Sequence, residues 1–488
     1  MYRILEALLL GLLALTLTSC GGGSDGGASS TAPVTSVSVT PTDLTLVLGQ
    51  TQQLTARPLD AAGNPLAGRA VAWDSSAPTV ATVSASGLVT AVAEGSVTIS
   101  ATSESIVGSA AASVRSIPSL TYVAVAAGGA HTCALTDSGA AYCWGRAESG
   151  QLGVSGSSSC LLDNVQLPCE LFAVAVGGGL RFTQITAGGA HTCALTSDGI
   201  ARCWGNNARG QVGDDSTVQR NEPVAVATTL RFTSLDAGAS HTCGLTSGGI
   251  AYCWGRNDRG QLGDGTAVDR LVPTAVTGGR TFATLTAGGF EIGHSCALDI
   301  GGAAYCWGDN ERGQLGLGVS DVTAHPAPAA VSAGMTFSAL SAGLGRHTCG
   351  LANAGAAYCW GENTYGALGD GTMTDRSSLA LASGSLKFAH VVAGGFLGHT
   401  CALTAGGTGY CWGENERGQV GDGTTTDRLS PHFIAGGLAF AQLDAGFRHT
   451  CGLTAGGVLY CWGSGAAGQL GINSTEQSDE PAKVLGQP

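Results

Sequence analysis

Charge is scarce in this chain. Only 12% of its 488 residues are Asp, Glu, Lys or Arg, and the 22 basic residues are scattered without a run. A protein that grips nucleic acid must displace phosphate counterions with a basic face. The formal net charge of −13 argues against that role. Also missing are a phosphate-binding loop and a His-Glu-x-x-His helix. No catalytic residue, metal or cofactor is therefore expected, and the chain reads as a non-enzyme. One apolar run of note, Leu8–Leu17, is too short to span a membrane before Cys20.

What is abundant is glycine, at 78 residues, with 44% hydrophobic residues. That balance suits many short strands joined by tight turns. It supplies ample material for a core.

The 17 cysteines carry the organisation. His-(Thr/Ser)-Cys recurs at Cys133, Cys193, Cys243, Cys296, Cys349, Cys401 and Cys451. Ten residues after each comes Cys-Trp-Gly, at Cys143, Cys203, Cys253, Cys306, Cys359, Cys411 and Cys461. The intervals of 50 to 60 residues suit one four-stranded propeller blade per copy. A glycine six residues after each first cysteine supplies the φ > 0 position of a three-residue hairpin loop. Centred on Ser138, that loop places Cys133 opposite Cys143, and the register repeats in every copy. Facing cysteines on adjacent strands can bridge where geometry allows. Cys160 and Cys169 fall in one inserted loop and are expected to pair with each other.

A Gly-Gln-Leu-Gly type element follows each Trp-Gly, as at Gln151-Leu152-Gly153 and Gln261-Leu262-Gly263, with Ala367-Leu368-Gly369 departing in the fifth copy. The series resembles the regulator of chromosome condensation repeat over residues 119–488. The resemblance implies a seven-bladed β-propeller. It also implies ring closure by the Pro481–Val484 strand joining strands at the start of the first repeat. The family's namesake activity is guanine-nucleotide exchange on a small GTPase.

Residues 34–115 lack cysteine. Alternating stretches such as Val37–Thr40, Leu44–Leu48, Gln53–Ala56 and Ser96–Ser100 suit an all-β sandwich. With Val71–Ser76, Val80–Val83 and Gly87–Ala91 the segment resembles the bacterial Ig-like group 2 domain, with Trp73 as a core residue. Leu17-Thr18-Ser19-Cys20 resembles a bacterial lipobox, which implies cleavage before a lipidated Cys20. The expected organisation is a signal peptide over 1–19 and a lipidated glycine-rich tether over 20–33. An Ig-like domain over 34–115, a linker over 116–120 and the propeller over 121–488 follow. The fold class is all-β.

The seven histidines two residues before the first cysteines recur identically and read as structural. Zinc would lack a recurrent fourth ligand. The Asp-Gly-Thr elements at Asp264, Asp370 and Asp422 lack a full calcium-loop pattern. Departures from the repeat are then the place to look for binding. Three copies lengthen the segment before the histidine and the seventh substitutes there. The candidate binding loops carry Phe290, Ile292, Leu344, Arg346, Phe396, Leu397, Phe447 and Arg448, and their aromatics either form an apolar contact patch or pack locally against their own blades.

The resulting expectation is an exported, lipid-anchored protein of a bacterial envelope or outer surface. It would be monomeric and would bind a protein or glycan through loops on one propeller face. Two alternatives stand beside it: the exchange-factor activity of the namesake, and a polysaccharide-active enzyme, which a carboxylate pair near the central channel would favour.

Overall fold

The computed structural model describes residues 32–116, 119–154, 158–162, 165–289, 292–331, 334–352, 354–395 and 397–488. The expected signal peptide, the lipidated Cys20 and nearly all of the tether lie outside them. The chain divides into two compact units, ending at Ser116 and beginning at Ile117.

The first unit is a β-sandwich. One sheet runs Asp43–Val47, Ile106–Arg115, Gly95–Ser103 and Ala72–Ser75, with the first pair parallel. Thr51–Gln53, Leu88–Ala91 and Ala81–Val83 form a second sheet, and Ser36–Thr40 pairs with Thr55–Leu59. The stretch read as one alternating segment over 53–56 is split between two of these sheets at the fully buried Leu54. Period-two alternation places Val97, Ile99 and Ala101 on one face, where they meet Ala110, Ala112 and Val114. Trp73 packs against this cluster half-buried.

The second unit is a seven-bladed propeller. Each blade is an antiparallel sheet with strands in chain order from the channel outward. In the first blade these are Tyr122–Ala127, His131–Thr136, Ala141–Arg146 and Val165–Ala175, with Ser158–Leu162 added at the outer edge by the insertion. In the seventh they are Phe440–Ala445, His449–Thr454, Leu459–Gly463 and Ser478–Lys483. Leu120, which the sequence reading places in the linker, is buried in the propeller and donates its N–H to Gly486 O at 2.7 Å.

Cys133 lies directly opposite Cys143 in the register of the second and third strands, and the other six blades match. Each blade carries a cross-strand disulfide with a Cα–Cα separation of 4.1 Å. A further disulfide joins Cys160 and Cys169. The hairpin glycines hold φ near +80°, as at Gly139 (77°) and Gly302 (82°).

Closure differs from the sequence expectation. The C-terminal strand Ser478–Lys483 pairs with Leu459–Gly463 of its own blade and shares no sheet with the first repeat. The ring closes by side-by-side packing. Tyr122 N–H donates to Gly457 O at 3.0 Å, the same bond that Phe182 makes to Gly139 O at 2.8 Å one junction along. Leu120, Tyr122 and Trp144 of the first blade share a core with Leu453, Leu459 and Val484 of the seventh.

Candidate functional site

The repeated residues converge on the junctions between blades. His131 Nε2 lies 2.9 Å from Thr192 Oγ1 of the next blade, and Thr192 Oγ1 donates to Gln151 O at 2.8 Å. A hydroxyl has one hydrogen. Since Thr192 spends it on the carbonyl, His131 must donate from Nε2. The same unit recurs at His191–Thr242, His241–Ser295, His294–Thr348, His347–Thr400 and His399–Thr450, and His449–Thr132 closes the circle at 2.9 Å. Each carbonyl also accepts from a tryptophan of the adjoining blade: Trp204 Nε1 meets Gln151 O at 2.9 Å, and Trp144 meets Gln469 O at 2.9 Å. Ala367 loses the glutamine side chain but keeps the carbonyl, which receives Thr400 at 2.8 Å and Trp412 at 2.9 Å. The seven tryptophans and seven histidines are all buried. Burial pushes each ring imidazole down, to between about 3 and about 4.

Seven inner strands enclose a channel cavity of about 430 Å³. Asp236 and Asp444 face it from the third and seventh blades. These carboxylates break the repeat at equivalent positions, as Leu-Asp-Ala-Gly in two of seven copies, a signal the sequence reading passed over. Asp236 Oδ2 accepts Ala287 N–H at 3.0 Å and Oδ1 accepts Thr186 Oγ1 at 3.1 Å. Asp444 Oδ2 accepts Ala127 N–H at 2.8 Å. Desolvation pushes Asp444 up to about 6, and it outweighs the backbone hydrogen bonds from Ala127 and Ala445. The pair that would favour a polysaccharide-active enzyme is present, but both members are tied to the neighbouring blade.

The candidate loops emerge where second strands begin and third strands end. Phe290 and Phe396 lie outside the described residues. Leu344 is buried, and Ile292 and Leu397 are half-buried. Phe447 is half-buried against Gly129 of the first blade. The described members therefore form no exposed apolar patch, because packing at the junctions takes up their surface. Arg346 stands 3.9 Å from Glu311, and Arg448 stands 3.8 Å from Glu414. Just after Trp-Gly, the sequence reading missed three carboxylates on successive blades: Asp309, Glu362 and Glu414. Desolvation raises all three, Glu414 to about 7 against the pull of Arg448. The signal was an acidic residue directly after Trp-Gly in three successive copies.

The Asp-Gly-Thr carboxylates are satisfied within their own blades. Asp264 Oδ1 accepts Asn257 Nδ2 at 3.0 Å and Thr266 Oγ1 at 2.8 Å, while Arg270 Nε reaches Oδ2 at 2.7 Å. Of the three isolated histidines, His325 bonds Asp321 at 3.1 Å, His390 lines the channel, and His432 stands 3.7 Å from Asp422. Among the described residues, no group of three His, Cys, Asp or Glu side chains is placed to hold a metal ion.

The profile of the RCC1-like domain matches residues 19–348, and profiles of the regulator of chromosome condensation repeat match segments from 337 to 488. The chain belongs to the RCC1-like domain family. It is 32% identical over 311 residues to the ultraviolet-B receptor UVR8 of Arabidopsis thaliana, covering 63% of this chain and 57% of that one. It is 30% identical over 325 residues to the E3 ubiquitin-protein ligase HERC2 of Homo sapiens, covering 64% of this chain and 5% of that one. The chain thus spans little more than half of one relative and a small part of the other. Solved structures with the same fold include human WBSCR16, at TM-score 0.60, 22% identity, and coverage of 69% of this chain and 87% of that one. Prp20p of Saccharomyces cerevisiae matches at TM-score 0.56 and 23% identity, covering 67% and 80%.

These findings correct the sequence reading. The RCC1-like match runs from residue 19 through the whole segment assigned to a bacterial Ig-like group 2 domain. That segment is a sandwich in fold, but its bacterial family assignment and the lipoprotein signal are not what the comparisons return. The relatives named above are a plant ultraviolet-B receptor and a mammalian ubiquitin-protein ligase. The expectation of an exported, lipid-anchored adhesion protein with a glycan partner is withdrawn. So is its placement on a bacterial envelope.

Proposed function

We propose that the propeller acts by docking a protein, in the manner of the exchange factors for which its repeat is named, and performs no covalent chemistry. The observation that carries this reading is membership of the RCC1-like family over most of the chain. The internal chemistry agrees with it. In every copy the histidine, the Thr or Ser hydroxyl, the tryptophan and the backbone carbonyl at the Gln or Ala position are consumed in holding the ring. What remains for a partner is loop surface, and on blades four, five and seven that surface carries Glu311, Arg346 and Arg448, the last standing over the buried Glu414. Prp20p, which shares the fold, is described with its binding to Gsp1p and histones.

The test is release of a fluorescent guanine nucleotide from purified small GTPases on addition of the full chain. Acceleration of tenfold or more, with a stable complex in the absence of nucleotide, supports the exchange reading. Charge reversal in Arg346→Glu and Arg448→Glu together should weaken that complex if this face is used. Neither complex nor acceleration across a broad GTPase panel contradicts it.

A further inference from the structure

The closed circle of histidines has a property that a single buried histidine lacks. Each ring imidazole donates from Nε2 to a hydroxyl that has no second hydrogen to give. In six of the seven, Nδ1 is buried without a hydrogen-bond partner. The imidazoles lie against glycine backbone. At Gly128, Gly188 and Gly446 a Cβ atom would fall within 2.7 Å of Nδ1 of His131, His191 and His449. A proton added at Nδ1 would sit as a charge in that dry space. It would also face the imidazoles of adjoining blades. His131 feels His449 and His191, His241 feels His191 and His294, and His399 feels His347 and His449.

The remaining groups around each ring are neutral: Thr or Ser hydroxyls, a carbonyl, glycine backbone and a disulfide. Arg346 and Arg448 precede two ring histidines but turn to Glu311 and Glu414. Asp309 and Glu362 on the third strands are drawn to Arg346. None of these carboxylates is among the groups that shift the ring imidazoles.

We propose that the seven-histidine belt is an acid-opened latch: a proton added at Nδ1 leaves the Nε2–H donor in place but puts an unpartnered charge in the dry space beside the imidazoles of adjoining blades, and the ring opens as one unit to hydrate those charges. This stands apart from the docking function. The sign follows from linkage. The unfolded chain takes up protons near the ordinary histidine value, while the folded ring stays neutral down to between about 3 and about 4. Stability is therefore fully present above the ordinary value and lost as pH falls below it. Each ring histidine multiplies the unfolded fraction up to about tenfold per pH unit. Glu414 and Asp444, raised to about 7 and about 6, bind protons first in the folded state and offset roughly two of the seven over the same range.

The experiment is denaturant unfolding of the full chain, disulfides intact, followed by tryptophan fluorescence from pH 7.5 to 4.5. His191→Gln, which retains an N–H donor, is the comparison. The expected result is a proton-uptake slope one lower in the variant. Its deficit relative to the parent should then shrink about tenfold per pH unit below pH 6. Parallel pH profiles would overturn the proposal. Should the variant not fold, imidazole 13C shifts of the parent decide. The seven ring signals should stay neutral until the fluorescence collapses. Reversible titration of a ring histidine within the folded state, near its ordinary value, would overturn the latch.

Discussion

In the sandwich, sheets pack around one apolar cluster that includes Val97, Ile99 and Val114. In the propeller there is no common centre. Its apolar side chains gather into seven clusters, each straddling two blades and each containing a tryptophan from one of them. A sandwich closes by burying its faces. A ring whose middle is an open channel must be fastened at every joint, and this one uses buried hydrogen bonds beside the apolar clusters, while each disulfide staples a hairpin within one blade. Buried polar groups specify geometry only when they are satisfied. Here a threonine or serine hydroxyl and a tryptophan Nε1 donate to one carbonyl per junction, and a histidine Nε2 donates to that hydroxyl.

Substitutions should separate the two regimes. The largest effect is expected for Trp254→Ala, which empties a buried site and strips a donor from Gln211 O. A loss of roughly 3–5 kcal/mol is expected from the cavity alone, and it should appear in the propeller transition with the sandwich unaffected. Ile99→Ala is the converse, at about 2–5 kcal/mol, confined to the sandwich. If either substitution shifts both transitions equally in chemical denaturation, the two regions do not fold as separate units.

Next is Cys243→Ala with Cys253→Ala, expected to cost about 2–3 kcal/mol in the chain-entropy model. Reductant applied to the native chain should act slowly, because all fourteen blade cysteines are buried. Fast reduction in native buffer, read by thiol titration, would show that the blades open readily.

The smallest effect has the opposite sign. Asp444→Asn keeps an acceptor for Ala127 N–H and removes a carboxylate that burial raises to about 6. An acid raised in the fold loses stability as pH rises from its unfolded to its folded value. The variant should therefore be more stable at pH 8, by on the order of 1 kcal/mol after allowance for partial exposure. The gain should vanish below pH 4.

The sequence made the blades legible because each copy restates the others. The cysteine spacing and the hairpin glycine φ follow from local register alone. What escaped is what lies between copies. His131 meets Thr192 across 61 residues, and nothing in either copy names the other as partner. Closure was misread for the same reason: Tyr122 and Gly457 make an ordinary junction bond at opposite ends of the repeat series. The channel acids showed only as two departures among seven. The loop residues were legible as irregular, but Leu344 and Phe447 turn out to be packed, because lengthening a loop beside a tight junction gives its side chains somewhere to go. At the amino terminus the strands were read correctly as a sandwich, while the family assigned to them was not sustained.

The direction of the belt hydrogen bonds is the point on which this account rests. Imidazole 15N chemical shifts of the native chain at pH 7.5 measure it. Seven of the ten histidines are expected as neutral Nε2–H tautomers, six of them with Nδ1 buried and unpartnered. Ring histidines found as Nδ1–H tautomers, or as fast-exchanging mixtures, would mean that the hydroxyls do not donate to the Gln carbonyls and that the belt does not fasten the blades.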